Sequence, residues 1–486
     1  MTEAAAGARA IVDGPRRGAS VLPAAGSDPW IAWMAALLVA TGAATALAGV
    51  GALRIELAAT GGAALACGLV VMVAAGWVDG LVLVVLALPL PALYASEAVR
   101  VSAALVVTAL ALTGWWMGRT VSPRRLDSGA VPMRWGAALL AAWAFSALFA
   151  TDRVGAAREI VSLTLLLFLL VAAADGLAGR SGRVRTVARA LALAGALAGA
   201  AAALESAGIL PGRFPLRETP LYRAAGGFGQ PNGLGMLLAV ILPFSFHEVR
   251  TATTRTGRIL SVAGFIMVVA GLLFTFSRGA WFSTLVAPAV LFLVASGRTA
   301  ARIWIGALLA AIAADVILGG AVSQRLTASL LDESGLQRLA LMMAGLLMFQ
   351  AHPLVGVGPG GFADALEGFG LQVPGLWDFL GTAHNAYIHI AAETGALGLV
   401  AWTGLVVTIW LRLLSRARRA DPGPGGAMPR TVLWSFTVVC VLGLFELTLL
   451  HGVGQLIVLT AAMGLATPAP PDRHPALDAA PREASP

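Results

Sequence analysis

HPLVGVGPGGF (His352 to Phe362) and AHNAYIHIAAETGALGL (Ala383 to Leu399) lie in or overlap the longest polar stretch between two greasy runs, roughly Gly320 to Glu393. On either side, apolar windows of about 17 to 22 residues recur, the length of a bilayer span. The chain has 486 residues, 58% hydrophobic and 12% charged, with a mean hydropathy of +0.84. A soluble chain carries about twice that charged fraction. Backbone groups in lipid must be satisfied internally, and the alternation of a barrel is absent, so the spans are helices. The fold class is therefore all-α: a polytopic transmembrane helix bundle of about 12–14 spans, with a large extracytoplasmic loop between the late spans.

Spans are expected at about 30–50, 56–76, 79–96, 99–118, 135–151, 158–177, 186–207, 233–249, 259–276, 280–296, 303–319, 395–414, 432–450 and 453–468. Asp79, Pro89 and Pro91 blur the pair between 56 and 96, which leaves a twelve-span alternative. The run Leu339 to Phe349 is too short to cross and reads as an interfacial or re-entrant helix. This divides the chain into a cytoplasmic tail (1–29), a transmembrane bundle (30–319), an extracytoplasmic loop with short helices (320–393), C-terminal transmembrane helices (394–468) and a disordered cytoplasmic tail (469–486). Residues 1–29 lack a leading apolar core, so the first span is expected to act as an uncleaved signal.

None of the 33 basic residues is a lysine. With the N-terminus in the cytoplasm, 23 arginines fall on the inner side and 10 on the outer. That bias is what the positive-inside rule requires, and it places the long loop outside. The net charge of +8 is thereby explained by orientation, without a nucleic-acid partner. Cys67 and Cys440 fall in apolar runs and give neither metal spacing nor an exported disulfide pair.

The outward arginines are the informative minority, because orientation alone would remove them. Arg223 stands just ahead of GGFGQPNG (Gly226 to Gly233), where Asn232 reads equally as a helix cap or a substrate contact. Arg278 sits in a turn between two spans, where snorkelling to headgroup phosphates is the alternative to a functional role. Arg338 opens the amphipathic stretch 338–350, where helix-surface solvation competes. The glycines 356, 358, 360 and 361 lack the Lys-Ser/Thr ending of a nucleotide loop and read as a hinge. Asn385, His389 and Glu393 share one helix face, and His384 precedes them at the loop-to-helix junction, where an imidazole can exchange a proton near neutral pH. The outer carboxylates show no paired or DxD-like spacing, which disfavours a metal-dependent site.

Four landmarks occur in order: Arg223 with Gly227 to Asn232, SRGA (Ser277 to Ala280), Arg338 ahead of His352 to Phe362, and His384 to Leu399. As an ordered set over about residues 220 to 400 they resemble the O-antigen ligase and Wzy-polymerase superfamily. The resemblance implies a metal-independent, inverting glycosyltransferase on the outer face of the bacterial inner membrane, with no cofactor. Its donor would be a glycan on undecaprenyl diphosphate. Its acceptor would be a hydroxyl of a lipid-linked or surface glycan, as in lipopolysaccharide. On that footing Arg223, Arg278 and Arg338 bind the diphosphate, His384 orients or deprotonates the acceptor, and Asn232, Asn385 and Glu393 support them. Each charge-assisted hydrogen bond is worth about 1.5–3 kcal/mol, so two or three arginines can replace a metal. Ligase and polymerase share these motifs and stay open at this point. A membrane transporter is the reading from another class; charged residues mid-span are few, and paired broken helices are not evident.

Overall fold

The computed structural model describes residues 66–67, 69–74, 76, 79–90, 92–95, 100–121, 131–212, 214–215, 221–295, scattered positions between 305 and 323, 333–369, 381–421, 426–446 and 453–466. In chain order these hold α1 (Gly80–Ala87), β1 (Ala92–Ala95), β2 (Arg100–Ser102), α2 (Ala103–Val121), α3 (Met133–Ala147), α4 (Arg153–Leu177) and α5 (Ser181–Ser206). There follow β3 (Phe214–Pro215), β4 (Tyr222–Arg223), α6 (Pro231–Thr251), α7 (Arg255–Phe274), α8 (Arg278–Ala295) and α9 (Glu333–Ala351). The last are α10 (Phe362–Leu366), α11 (Ala386–Arg419), α12 (Ala427–Leu442) and α13 (Gly454–Ala466). The architecture is all-α apart from two antiparallel two-stranded ladders, β1–β2 and β3–β4.

Six helices among the described residues are long and apolar enough to cross a membrane: α2, α4, α5, α6, α7 and α11. The expected span 30–50, most of 56–76 and of 303–319, and the two terminal tails lie outside the described residues. Three expectations need correction. The span 79–96 stops at Ala87, because Pro89 and Pro91 remove backbone donors and the chain enters β1. The span 432–450 ends at Leu442 and gives way to a turn at Gly443–Phe445. The span 395–414 begins earlier: α11 starts at Ala386 behind an Asn385 cap and runs to Arg419. The run at 339–349 is part of α9, which does not meet the length and hydropathy of a span.

Sequence signals account for many helix starts. Asp152 and Thr254 accept the amides of Val154 and Gly257 to cap α4 and α7. Pro231 opens α6 at the position where its missing N–H costs nothing. Small residues then bring helices together in the way lipid-embedded bundles require. A side chain at Gly199 on α5 would overlap the Met267 carbonyl of α7, and one at Gly271 would lie 2.5 Å from the Gly199 Cα.

The fold's main irregularity lies within α11. Gly395 adopts φ 63°, ψ −163°, which breaks the helix after its third turn. The segment His352–Gly361 is strapped across the break. Val357 and Gly358 donate their amides to the carbonyls of Ala392 and Glu393, each at 2.9 Å. The amides of Ala396 and Leu397 donate in turn to Pro353 (2.8 Å) and Leu354 (3.5 Å). From α3, the Ser146 hydroxyl lies 2.6 Å from the Val355 carbonyl and 2.8 Å from that of Glu393, donating to one at a time. Gly356 (φ 68°) is in the left-handed region, and a Cβ there would overlap the Glu393 carbonyl; a Cβ on Gly395 would overlap Leu354. The expected glycine hinge is thus a splint. Gly356→Ala is expected to lower the stability of the protein by at least about 2 kcal/mol, read as a fall in the thermal midpoint in detergent. A midpoint equal to the wild type's would contradict the splint.

Candidate active site

The site forms where four segments meet at the turn after α12. That turn is laced to the start of α11: the Ala386 amide donates to Gly443 O at 2.7 Å, Asn385 Nδ2 to Leu444 O at 3.2 Å, and the Tyr387 hydroxyl to Cys440 O at 3.3 Å. Three residues after Gly443 comes Glu446. Its Oε1 accepts from Asn232 Nδ2 at 2.8 Å and from Arg338 Nη2 at 2.9 Å, and its Oε2 lies 3.0 Å from His384 Nδ1. The Glu446 and His384 side chains are only 12% and 14% exposed, so the pair is largely desolvated. In such surroundings the carboxylate is tolerated only because several donors converge on it.

Asn232 sits inside the first turn of α6 rather than capping it; Gln230 occupies the cap position, without a side-chain bond. The capping alternative is therefore set aside. Asn232 bridges instead: its Nδ2 meets Glu446, and its Oδ1 accepts from Arg223 Nη2 at 3.4 Å. Arg223 Nε donates to the Thr275 carbonyl at 3.2 Å, which ties β4 to the turn between α7 and α8. Arg278 is the first residue of α8, three residues beyond Thr275. A Cβ on neighbouring Gly279 would lie 2.9 Å from Phe445 Cβ, and the Phe282 and Phe445 rings stack edge-on at 5.3 Å. The backbone at Arg278 therefore abuts the turn that carries Glu446.

The other two expected supporting residues act behind this surface. Asn385 Oδ1 accepts the amides of Tyr387 (3.0 Å) and Ile388 (3.1 Å), capping α11. Glu393 is buried, 3.4 Å from His389 Nε2, and accepts the Phe362 amide at 3.2 Å. His389 Nδ1 in turn accepts the Ala383 amide at 3.4 Å, so this buried pair holds the residue that precedes His384. His384 itself has φ 48°. Phe276, two residues before Arg278, is the other non-glycine residue with positive φ among the described residues. Such strained backbone gathers where surrounding structure over-determines it, and functional sites are the usual place.

Sequence reasoning missed Glu446, which it left inside an expected span. The available signal was a lone carboxylate in the run Leu442 to Leu450, since an ionisable residue in an apolar segment marks function by default. His352 stands exposed on the strap, away from these contacts. Arg213, Arg217 and Arg325 lie outside the described residues. Among the described residues, no group of three or more His, Cys, Asp or Glu is placed to hold a metal ion.

Residues 263–403 match the family model of the O-antigen ligase. Over this segment the chain is similar to the O-antigen ligase/Wzy superfamily. The match takes in Arg278, Arg338, His384, Asn385 and Glu393, whereas Arg223, Asn232 and Glu446 fall outside it. No curated protein matches the chain. The polar cluster around Glu446 is assembled from both the matched segment and its flanks. Asn232→Leu, with the same branched skeleton but without the amide, should remove the Arg223–Glu446 bridge and lower stability by about 1–3 kcal/mol. Scanning calorimetry checks this, and an unaltered unfolding transition speaks against the bridge.

Proposed function

We propose that the protein transfers a glycan from a polyprenyl diphosphate to a sugar hydroxyl, on the outer face of the bacterial inner membrane. The observation that carries this is the Glu446 carboxylate, which gathers Arg338 at 2.9 Å and His384 Nδ1 at 3.0 Å in one largely buried cluster. A carboxylate on Nδ1 favours the tautomer with its proton there, which leaves the Nε2 lone pair as the acceptor. An imidazole held in this way can take the proton of an acceptor hydroxyl as that oxygen attacks the anomeric carbon from the side opposite the leaving group. The developing imidazolium would then lie beside a negative charge. The C–O bond to the diphosphate breaks with its electron pair going to the phosphate oxygen.

The departing lipid diphosphate gains charge as it leaves. Arg223 bonds the Thr275 carbonyl, Arg278 opens α8 three residues later, and Arg338 bonds Glu446. Guanidinium groups stay charged and can grip phosphate through two parallel bonds. They supply the stabilisation that a divalent cation gives elsewhere. Glu446 has a second effect before substrate arrives: it neutralises part of the cationic cluster, which otherwise would be costly to bury.

Within the superfamily, the acceptor decides between ligase and polymerase. A deletion strain distinguishes them: long lipid-linked chains accumulate if the enzyme is a ligase, and single repeat units if it is a polymerase. Altered solute uptake with unchanged glycans would favour the transporter instead. Arg278→Ala, Arg338→Ala and His384→Ala should each abolish glycan transfer, by on the order of 10²-fold or more, while the protein still reaches the membrane. Normal surface glycan in the Arg338→Ala and His384→Ala strains would sink the mechanism. Glu446→Gln keeps an oxygen acceptor for Asn232 and Arg338 but removes the charge beside His384. Its kcat should fall by about 10²-fold, with donor KM changed far less.

A further inference from the structure

Beneath Arg223 lies a carboxylate with no role in the chemistry just described. Glu205, in the last turn of α5, is buried at 8% exposure. Its Oε2 accepts two consecutive backbone amides, Ala225 at 3.1 Å and Gly226 at 2.9 Å. Gly226 is in the left-handed region, with φ 52°. Successive amides around a left-handed residue form a concavity that binds anions. Here the anion is supplied from within the chain.

The position of this contact matters. Arg223 lies two residues before the first bonded amide, and the amide between them, Ala224, donates to the Phe274 carbonyl at 2.9 Å. On the other side, Gly226–Phe228 makes a single 3₁₀ turn that leads into Pro231 and Asn232. Arg223 and Asn232 are thus the two ends of a short turn pinned at its centre by one side chain. The segment just after α5 packs on the neighbouring Tyr222 ring: a Cβ on Gly208 would lie 3.6 Å from it, and one on Gly212 would overlap it. Glu205 and the turn it holds both lie outside the segment matched by the family model.

We infer that Glu205 is a positioning residue, which holds the 225–226 turn so that Arg223 and Asn232 face Glu446. The inference rests on the reading of Arg223 as a phosphate ligand. It also assigns the anion-binding amides of this turn to an internal carboxylate, which leaves the donor diphosphate to the arginines. Glu205→Ala removes the acceptor of both amides. Glu205→Gln keeps an oxygen that can accept them, though without the charge that strengthens such bonds.

The test uses the full-length protein in lipid nanodiscs, with a polyprenyl-diphosphate-linked glycan as donor and hydrogen–deuterium exchange over peptides spanning 221–232. In Glu205→Ala the donor kcat/KM per folded molecule should fall about tenfold, with kcat carrying part of the loss, and exchange should rise in 221–232 alone. Glu205→Gln should recover most of the donor kcat/KM. Unchanged exchange in Glu205→Ala overturns the inference. So does loss of protection along all of α5 and α7, which would make Glu205 a residue of bundle stability only. If the wild-type protein transfers no glycan, the proposed function falls, while the exchange result still decides whether Glu205 holds the turn.

Discussion

A break inside a lipid-embedded helix frees backbone groups that water cannot reach, and each costs several kcal/mol unless something pairs with it. At Gly395 the chain meets that constraint with a second piece of backbone. Val357 and Gly358 bond the carbonyls before the break, and Pro353 and Leu354 accept from the amides after it. Because the strap must lie flat on the helix, its residues are small or left-handed at Gly356, Gly358 and Gly360. Because it also touches α3 through Ser146, the break becomes a junction rather than a weak point. The first three turns of α11 are thereby aimed apart from the rest of the helix, and His384 stands at their tip. Behind it, a small apolar cluster of Leu341, Ala344, Met348, Phe362, Ala383 and Ala392 locks α9 to the same turns.

Charge is managed by similar convergence. Glu446 follows α12 on a short turn, and the bonds from Ala386, Asn385 and Tyr387 bring that turn against the start of α11. The carboxylate therefore arrives where Arg338, His384 and Asn232 already point. Removing one member of a buried charge cluster typically costs more than the cluster itself contributes, since the remainder is left uncompensated. Such an arrangement is weak as a source of stability. It is strong as a way of fixing which ring nitrogen carries a proton and how the guanidinium is held.

Much of the bundle was legible from hydropathy alone, since helices α4 to α8 lie close to where apolar runs of span length place them. Boundaries were legible where a cap names itself, as at Asp152, Thr254 and Pro231. Arg338 stood out because a rule of orientation gave no reason for charge on the outer side, and His384 because it sits at a loop-to-helix junction where an imidazole can exchange a proton. Glu446 did not, because it lies in an apolar run that continues past the end of α12 in composition but not in conformation. Its role depends on contacts with residues 62, 108 and 214 positions away, which no local pattern records. The glycines of the strap were recognisable as special, but their partner was not: the groups they approach belong to a helix break that only Gly395 hints at. Asn232 shows the converse, a residue with a plausible local duty that long-range packing redirects.

Ribosomes deliver this chain in one direction, and the site is not complete until nearly the end. Arg338 and His384 are both synthesised before Glu446, which follows α12 in the final fifth of the sequence. Until α12 forms and its turn docks on α11, these two side chains lack the carboxylate that later joins them. Docking of that turn thus does more than close the bundle. It supplies the carboxylate on which Arg338, His384 and Asn232 converge, so a chain without it carries these residues but not their arrangement.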